Sequence, residues 1–194
     1  MNIILGSQSP RRRELLSGLD IPHTEVSIDA DESYPAFLSG GNIPAYISRS
    51  KAEAYIHAHP LEADQLLITS DTIVWLDGEV MGKPHSEAEA RAMLHRLSGK
   101  THQVYTAVTF AHAKDGELRM DTEVDCTDVT FDTLSDSEID YYVSRYRPMD
   151  KAGAYGIQEW IGYIGVSKIH GSYFTVMGFP THLVHRYIKQ LEMP

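Results

Sequence analysis

The apolar run LLITSDTIVWL, at residues 66–76, constrains the fold of this chain more than any other feature. A run of this kind predicts a buried strand, and Asp77-Gly78 directly after it is typical of a two-residue hairpin turn. One polar step, Ser70-Asp71-Thr72, interrupts it. A buried carboxylate is costly unless it is hydrogen-bonded, paired or bound to metal. Asp71 is therefore either a strand-end residue held by Thr72, or a residue that faces the ligand crevice of an α/β sheet.

Strand and helix patterns are mixed along the rest of the chain without strict alternation, which favours a mixed-sheet α/β fold. Ser9-Pro10 predicts the start of the first helix, and Pro180 predicts the start of the last one. Apolar periodicity over 45–59 and two capping-box pairs predict the helices between them. The predicted elements, in order, are strand 2–6, a helix from 10 that ends near Gly18, helix 45–59, strand 66–76, a helix capped by Ser86 and Glu89, strands 101–113 and 124–134 joined at Asp115-Gly116, a helix capped by Ser135 and Glu138, strands near 163–169 and 173–178 flanking His170-Gly171, and a helix from 180.

Composition bounds the class of protein and its partners. The chain has 194 residues, which favours a single domain, with a net charge of -10 and a pI near 5.4. Such a surface repels nucleic-acid backbones, so we expect no nucleic-acid polymer as partner. Cys126 is the single cysteine, which fits a reducing compartment. No signal peptide and no membrane span are evident, and we expect a cytoplasmic protein without membrane contact.

Positive charge nevertheless concentrates at one helix start, where Arg11, Arg12 and Arg13 follow Ser9-Pro10. The first turn of a helix exposes unpaired N–H groups and the positive end of the helix dipole. Cations there are unfavourable unless an anion joins them, which indicates a phosphate site. The alternative is three solvated arginines on a surface turn.

Two lysines are further cation candidates. Lys51 falls on the apolar stripe of its predicted helix, so it either extends to the surface or points at an internal anion. Lys83 lies between Gly82 and Pro84 on a tight loop, as a phosphate contact or an ordinary turn lysine.

The remaining candidate residues could bind a metal ion or recognise a nucleobase. Asp31 and Glu32 are either solvated or metal-binding, and Mg²⁺ usually takes one or two carboxylates. The block YRPMDKAGAYGIQEW, at 146–160, is either a glycine-rich turn without a ligand or a close approach to one. In the second case the amide of Gln158 offers a donor and an acceptor to uracil or thymine. Together these features indicate a metal-assisted nucleoside triphosphate hydrolase.

Five blocks resemble the Maf-like nucleotide pyrophosphatases, in order and over nearly the whole chain: LGSQSPRRRELL, SKAEAY, SDTIVWLDGEVMGKP, LSGKTHQVYTAV and DKAGAYGIQ…KIHGSYFTVMGFP. The resemblance implies one domain over 1–194, with an elongated α/β fold like that of the inosine-triphosphate pyrophosphatases and two lobes around a central cleft. It also implies a cytoplasmic enzyme, often a homodimer, that hydrolyses a nucleoside triphosphate to the monophosphate and pyrophosphate. A divalent metal, Mg²⁺ or Mn²⁺, is the implied cofactor.

The resemblance assigns roles by motif position. It implies a catalytic and metal-binding aspartate at Asp71 and a metal-side glutamate at Glu32, with Asp31 as the alternative. The implied phosphate contacts are Ser9, Arg11, Arg12, Lys51 and Lys83.

Three positions, one of them already named as a phosphate contact, are similar to the subfamily that prefers dTTP and UTP, namely Arg11, Thr72 and Gln158. The subfamily acting on 7-methyl-GTP typically has a bulky aromatic residue, glutamine and glutamate there. The alternative substrates are therefore 7-methyl-GTP and modified pyrimidine triphosphates. A second alternative is a non-catalytic nucleotide-binding regulator, because the family is also associated with inhibition of septum formation. The chain departs from the family pattern at Gly6, usually alanine, and at Glu159-Trp160, where smaller residues are common.

Overall fold

The computed structural model of this chain describes residues 1–114 and 116–192. Its helices and strands, in chain order, are β1 Asn2–Gly6, α1 Pro10–Ser17, β2 His23–Val26, α2 Asn42–Ala58, β3 Gln65–Leu76, β4 Glu79–Met81, α3 Glu87–Leu97, β5 Thr101–Lys114, β6 Glu117–Phe131, α4 Asp136–Tyr146, α5 Trp160–Gly165, β7 Val166–His170, α6 Tyr173–Met177 and α7 Thr181–Glu192.

The strands of the described ranges form one mixed sheet in the order β2-β1-β3-β5-β6-β7, with β4 paired to β3. Strand β1 pairs in parallel with both β2 and β3, whereas the β3–β4 and β6–β7 pairs are antiparallel. The expected mixed-sheet α/β class is therefore confirmed. None of the helices in the described ranges is long and apolar enough to cross a membrane.

The chain divides into two compact units. The first comprises Met1–Asp71, Thr106–Asp125 and Gly178–Pro194. Its core is apolar and includes the fully buried Leu5, Leu16 and Ile68. Aromatic stacking adds to it, because the rings of Phe110 and Tyr187 lie 3.9 Å apart and within 6° of parallel.

The second unit comprises Thr72–Tyr105 and Cys126–Met177. Helices α3 and α4 contribute apolar faces to its core, through residues such as Leu94, Ile139 and Val143. Val74 of β3 and Phe131 of β6 supply the strand side of the same core.

Local signals in the sequence account for most element boundaries. Pro10 begins α1, with Ser9 before it in an extended conformation, as expected of an N-cap. The side chain of Ser135 accepts a hydrogen bond from the Glu138 N–H, and the Glu138 carboxylate accepts one from the Ser135 N–H. Asp77 and Gly78 have φ angles of 53° and 88°, the left-handed pair that a tight hairpin requires.

Several local predictions were wrong or incomplete. Residues 173–177 form helix α6 and not a strand, because the Ser172 carbonyl accepts hydrogen bonds from the N–H groups of Thr175 and Val176. The strand predicted over 163–169 begins only at Val166. Strand β2 was missed. In the predicted turn between β5 and β6, Gly116 has a φ of 80°, and Asp115 lies outside the described residues.

Candidate active site

Strand β3 carries Asp71 just past its parallel pairing with β1. The last paired residues are Gly6 and Thr69, so Asp71 follows two residues beyond the end of β1. Thr69 Oγ1 donates to the Ser48 carbonyl at 2.6 Å, which fixes the strand against α2. Asp71 is 8% exposed. The polar break in the apolar run thus marks the carboxyl end of the parallel pairing, where ligands bind in open α/β sheets.

Lys51 points inward and forms ion pairs with two carboxylates. Its Nζ lies 2.9 Å from Asp71 Oδ1 and 2.8 Å from Glu32 Oε1. The Lys51 side chain is only 12% exposed, so it does not extend to the solvent. Its place on the apolar stripe of α2, one turn from the buried Ile47, brings it against the sheet.

The two acidic residues of the loop before α2 have different partners. Asp31 accepts hydrogen bonds from the backbone N–H of Ser33 at 2.9 Å and from its hydroxyl at 2.7 Å. These bonds lower the pKa of Asp31, the side-chain bond contributing most. Glu32 is the residue that reaches Lys51. The geometry therefore brings Glu32, and not Asp31, to the carboxylate cluster.

The arginines of α1 differ in their surroundings. Arg12 donates from Nη1 to the Ser70 carbonyl at 2.8 Å and from Nε to the Gly178 carbonyl at 2.9 Å. It thereby ties the first turn of α1 to the residue preceding Asp71. Arg13 instead forms an exposed ion pair with Glu25 of β2, at 3.1 Å.

Ser9 and Arg11 lie at the start of α1. Ser9 is half-buried, and its side chain does not cap the helix N–H groups. Arg11 is half-buried and adjoins Arg12. The first turn contains basic residues and no acidic ones, so its N–H groups and its guanidinium groups both attract an anion.

Burial dominates the electrostatics of this cluster. It raises the pKa of Asp71, an effect that Lys51 and Arg12 oppose and Glu32 reinforces. Burial also lowers the pKa of Arg12, although Asp71 counteracts it. A carboxylate with a raised pKa beside several cations suits proton transfer better than an ordinary surface aspartate does.

The donor set fits a hard divalent cation. Asp71 and Glu32 each place one oxygen on the same ammonium nitrogen, so a single cationic group already lies between them. No group of three or more His, Cys, Asp or Glu side chains suited to a metal occurs within residues 1–114 and 116–192. Two carboxylates match Mg²⁺ or Mn²⁺ completed by water and phosphate, and differ from a closed zinc site.

Thr72, Lys83 and Gln158 belong to the second unit. The Gly153 N–H donates to the Gly82 carbonyl at 3.0 Å, which joins the Lys83 loop to the glycine-rich block. Lys83 is exposed. Gly153, with a φ of 67°, packs on Val74, where an added Cβ would approach within 3.1 Å. Thr72 is two residues before Val74 and shares its face of β3.

Gln158 lies in a turn bounded by a network that the sequence did not predict. Glu159 forms an ion pair with Lys151 at 3.0 Å and accepts a hydrogen bond from the Tyr142 hydroxyl. The same hydroxyl accepts from the Gly156 N–H at 3.0 Å. Tyr142 lies on the apolar stripe of α4, so its periodicity indicated a core residue and gave no signal of this polar contact.

Gly6 of β1 is closely surrounded by side chains. A Cβ at this position would lie 2.4 Å from Ile28 Cδ1 and 2.9 Å from Thr69 Cγ2. An alanine at this position would therefore require the methyl groups of Ile28 and Thr69 to shift.

Comparison with known proteins agrees with the motifs. The family model described as Maf-like protein matches residues 2–191. The dTTP/UTP pyrophosphatase of Phocaeicola vulgatus is 56% identical over 191 residues, covering 97% of this chain and 95% of that protein. The dTTP/UTP pyrophosphatase of Porphyromonas gingivalis W83 is 52% identical over 190 residues, covering 96% and 92%.

A solved structure supports the fold at low sequence identity. The Staphylococcus aureus Ham1 protein aligns with 99% of this chain and 100% of its own, with a TM-score of 0.52 and 15% identity. This similarity shows the fold alone. The family model and the relatives cover nearly the whole sequence, and the chain belongs to the Maf-like protein family.

Proposed function

We propose that this protein hydrolyses dTTP and UTP to the nucleoside monophosphate and pyrophosphate. The observation that carries the proposal is the buried Asp71 carboxylate, which shares the Lys51 ammonium with Glu32 beside the basic first turn of α1. Relatives at 56% and 52% identity bear the name dTTP/UTP pyrophosphatase, which supports the same substrates here.

In the proposed reaction Asp71 orients a water molecule and accepts a proton from it. The water oxygen forms a bond to the α-phosphorus, and the bond from that phosphorus to the α,β-bridging oxygen breaks. Pyrophosphate leaves with the electron pair of the broken bond. Burial is the main cause that raises the pKa of Asp71, and Lys51 and Arg12 oppose it.

The cations stabilise charge on the triphosphate as the bond breaks. We assign Ser9, Arg11 and Arg12 to the phosphates through the start of α1, together with Lys51 and Lys83. Preorganised cations in a site of low dielectric act strongly on developing charge. Arg12 has a second role in this proposal, because its bonds to the Ser70 and Gly178 carbonyls hold the strand segment that carries Asp71.

Asp71 and Glu32 are the proposed ligands of Mg²⁺ or Mn²⁺. A bound divalent cation would neutralise phosphate charge and increase the acidity of coordinated water. Lys51 keeps the two carboxylates together and limits their mutual repulsion.

We assign selection of the nucleobase to Thr72 and Gln158. Arg11 is the third position at which this chain resembles the subfamily that prefers dTTP and UTP. The amide of Gln158 offers one donor and one acceptor, which matches the O4 and N3–H edge shared by uracil and thymine. Gln158 is half-buried, and its side chain has no hydrogen-bond partner in the part of the chain that the structure describes.

The setting of the enzyme is inferred from composition and resemblance. We infer a cytoplasmic enzyme, because the sequence is acidic and has a single cysteine. We further infer one functional domain over 1–194 and a homodimer. Analytical ultracentrifugation of the purified chain tests the dimer.

A substrate panel tests the proposed function. Pyrophosphate release is measured with dTTP, UTP, CTP, GTP and 7-methyl-GTP, each with Mg²⁺, with Mn²⁺ and with a chelator. We expect release from dTTP and UTP at a kcat/KM at least about tenfold above the other triphosphates, and none with the chelator. Preference for 7-methyl-GTP would move the chain to the other subfamily, and binding of dTTP without turnover would favour the regulator.

A further inference from the structure

A buried polar network in the second unit adjoins Gln158 and takes no part in the proposed phosphate chemistry. Lys151 Nζ pairs with Glu159 Oε1 at 3.0 Å, and the other Glu159 oxygen accepts a hydrogen bond from the Tyr142 hydroxyl. That hydroxyl in turn accepts from the Gly156 N–H at 3.0 Å. The network therefore runs from α4 to both sides of Gln158.

The network lies in an environment where unpaired charge would be costly. The side chains of Lys151 and Glu159 are 10% and 20% exposed, and Tyr142 is fully buried. Burial and the neighbouring Glu159 carboxylate raise the pKa of Tyr142, so its hydroxyl remains a donor. Lys151 also pairs with the exposed Asp150 at 2.8 Å, so the group that loses its acceptor when Glu159 is removed is the buried Tyr142 hydroxyl.

The contacts leave the turn before Gln158 little freedom. The Glu159 N–H donates to the Gly156 carbonyl at 2.9 Å, which closes the turn. A Cβ on Gly156 would lie 2.9 Å from Glu159 Cδ and 3.0 Å from Lys151 Cε. An alanine at 156 would therefore displace the Glu159 and Lys151 side chains from the positions in which they pair.

Gln158 itself presents an amide without a side-chain partner within the described ranges. A polar side chain whose backbone is fixed but whose own donors and acceptors are unpaired suits ligand recognition, because the binding site is ordered before the ligand arrives.

The geometry points to Tyr142 and Glu159 as positioning residues that fix where Gln158 presents its amide to uracil or thymine. This inference rests on the proposed function and adds to it the source of base selectivity.

The test uses Tyr142→Phe and Glu159→Gln, with Tyr146→Phe as the matched control. Tyr146 stacks on Tyr142 from the same helix but is 37% exposed and outside the network. We measure kcat and KM for dTTP, UTP and GTP, each also in a Gln158→Ala background. The inhibition constant of inorganic triphosphate, which lacks a base, reports phosphate binding separately.

We expect each network variant to lower kcat/KM for dTTP and UTP about tenfold, mainly by raising KM. A tenfold loss corresponds to about one hydrogen bond. GTP turnover, triphosphate inhibition and the Tyr146→Phe control stay unchanged, and the effect disappears in the Gln158→Ala background. Should Tyr142→Phe fail to fold, Glu159→Gln, which keeps one acceptor oxygen, carries the test.

Two results would overturn the inference. One is that the wild type is active and the folded Glu159→Gln variant keeps the same preference for dTTP and UTP. The other is an equal loss for every substrate that persists with Gln158→Ala, as a purely structural role predicts. Absence of pyrophosphate release by the wild type would instead overturn the proposed function, which separates the two failures.

Discussion

At the scale of single residues, the Lys51 ammonium is the group through which the candidate site is connected. It contacts Asp71 and Glu32 at 2.9 Å and 2.8 Å while remaining 12% exposed. Lys51 and Asp71 form the buried pair, both 12% exposed, whereas the Glu32 side chain is 53% exposed. Removing one member of a buried ion pair leaves the other charge uncompensated, which costs more than the net contribution of the pair. The ammonium and the two carboxylates are therefore expected to depend on one another.

A second buried group, His102, makes folding stability depend on pH. Its Nε2 bonds to the Tyr155 hydroxyl at 2.7 Å, and its Nδ1 is buried without a partner in the described part of the chain. Burial lowers the pKa of His102 from 6.5 to about 4, and Asp128 only partly opposes this. The unfolded chain therefore takes up a proton between these values while the folded chain does not.

The stabilising effect of neutral His102 is fully present above pH 6.5 and is lost as the pH falls to about 4. The loss amounts to about 3 kcal/mol. We expect His102→Gln, measured by urea unfolding, to lose less stability than the wild type over this range. The control is His95→Gln on an exposed histidine. A constant difference between wild type and His102→Gln at all pH values would contradict the assignment.

Sequence predicted the types of residue in the site better than it predicted their partners. Asp71 was conspicuous because a carboxylate interrupts an apolar run, and Lys51 because an ammonium replaces an apolar side chain. Whether Lys51 points inward depends on α2 packing against β3, which no local pattern encodes. The choice between Asp31 and Glu32 likewise depends on the turn that Ser33 forms with Asp31.

At the scale of elements, serine caps fix where helices α3 and α4 begin. Helix α4 begins at the Ser135–Glu138 capping box and carries Tyr142 into the second unit's core. Helix α3 begins at Ser86 in a similar way, but the Glu89 carboxylate accepts from the His85 N–H. Both capping signals were visible in the sequence because they depend on residues three apart.

We expect Ser135→Ala to destabilise the protein by about 1 kcal/mol, because the Glu138 N–H loses its acceptor at the helix start. Ser17→Ala, at the exposed end of α1, is the control and should change stability by less than about 0.5 kcal/mol. Urea unfolding measures both variants. Equal effects for the two serines would mean that the cap does not anchor α4.

Elements that depend on distant partners were harder to predict. Strand β2 has only four residues and no buried face, and it exists because β1 pairs with it in parallel. The aromatic and β-branched residues of 173–178 suggested a strand, but the carbonyl of Ser172 begins a helical turn there. Tertiary contacts decide such short segments more than intrinsic propensity does.

At the scale of the whole molecule, the sequence predicted the fold class but not the strand order. The irregular succession of strands and helices indicated a mixed sheet, and the parallel and antiparallel pairs bear this out. The position of β3 between β1 and β5 is a long-range arrangement without a local signature. The resemblance supplied what periodicity lacked, namely the relation to a known family.

The most direct test of the central claim compares Asp71→Asn with Asp77→Asn in metal-dependent pyrophosphate release from dTTP. Asp77 is an exposed turn residue with a φ of 53°, which asparagine tolerates, so its variant controls for loss of one carboxylate. Both variants should fold, as judged by circular dichroism and urea unfolding. We predict that Asp71→Asn lowers kcat at least about 100-fold and that Asp77→Asn matches the wild type. Near wild-type turnover by a folded Asp71→Asn would contradict the account.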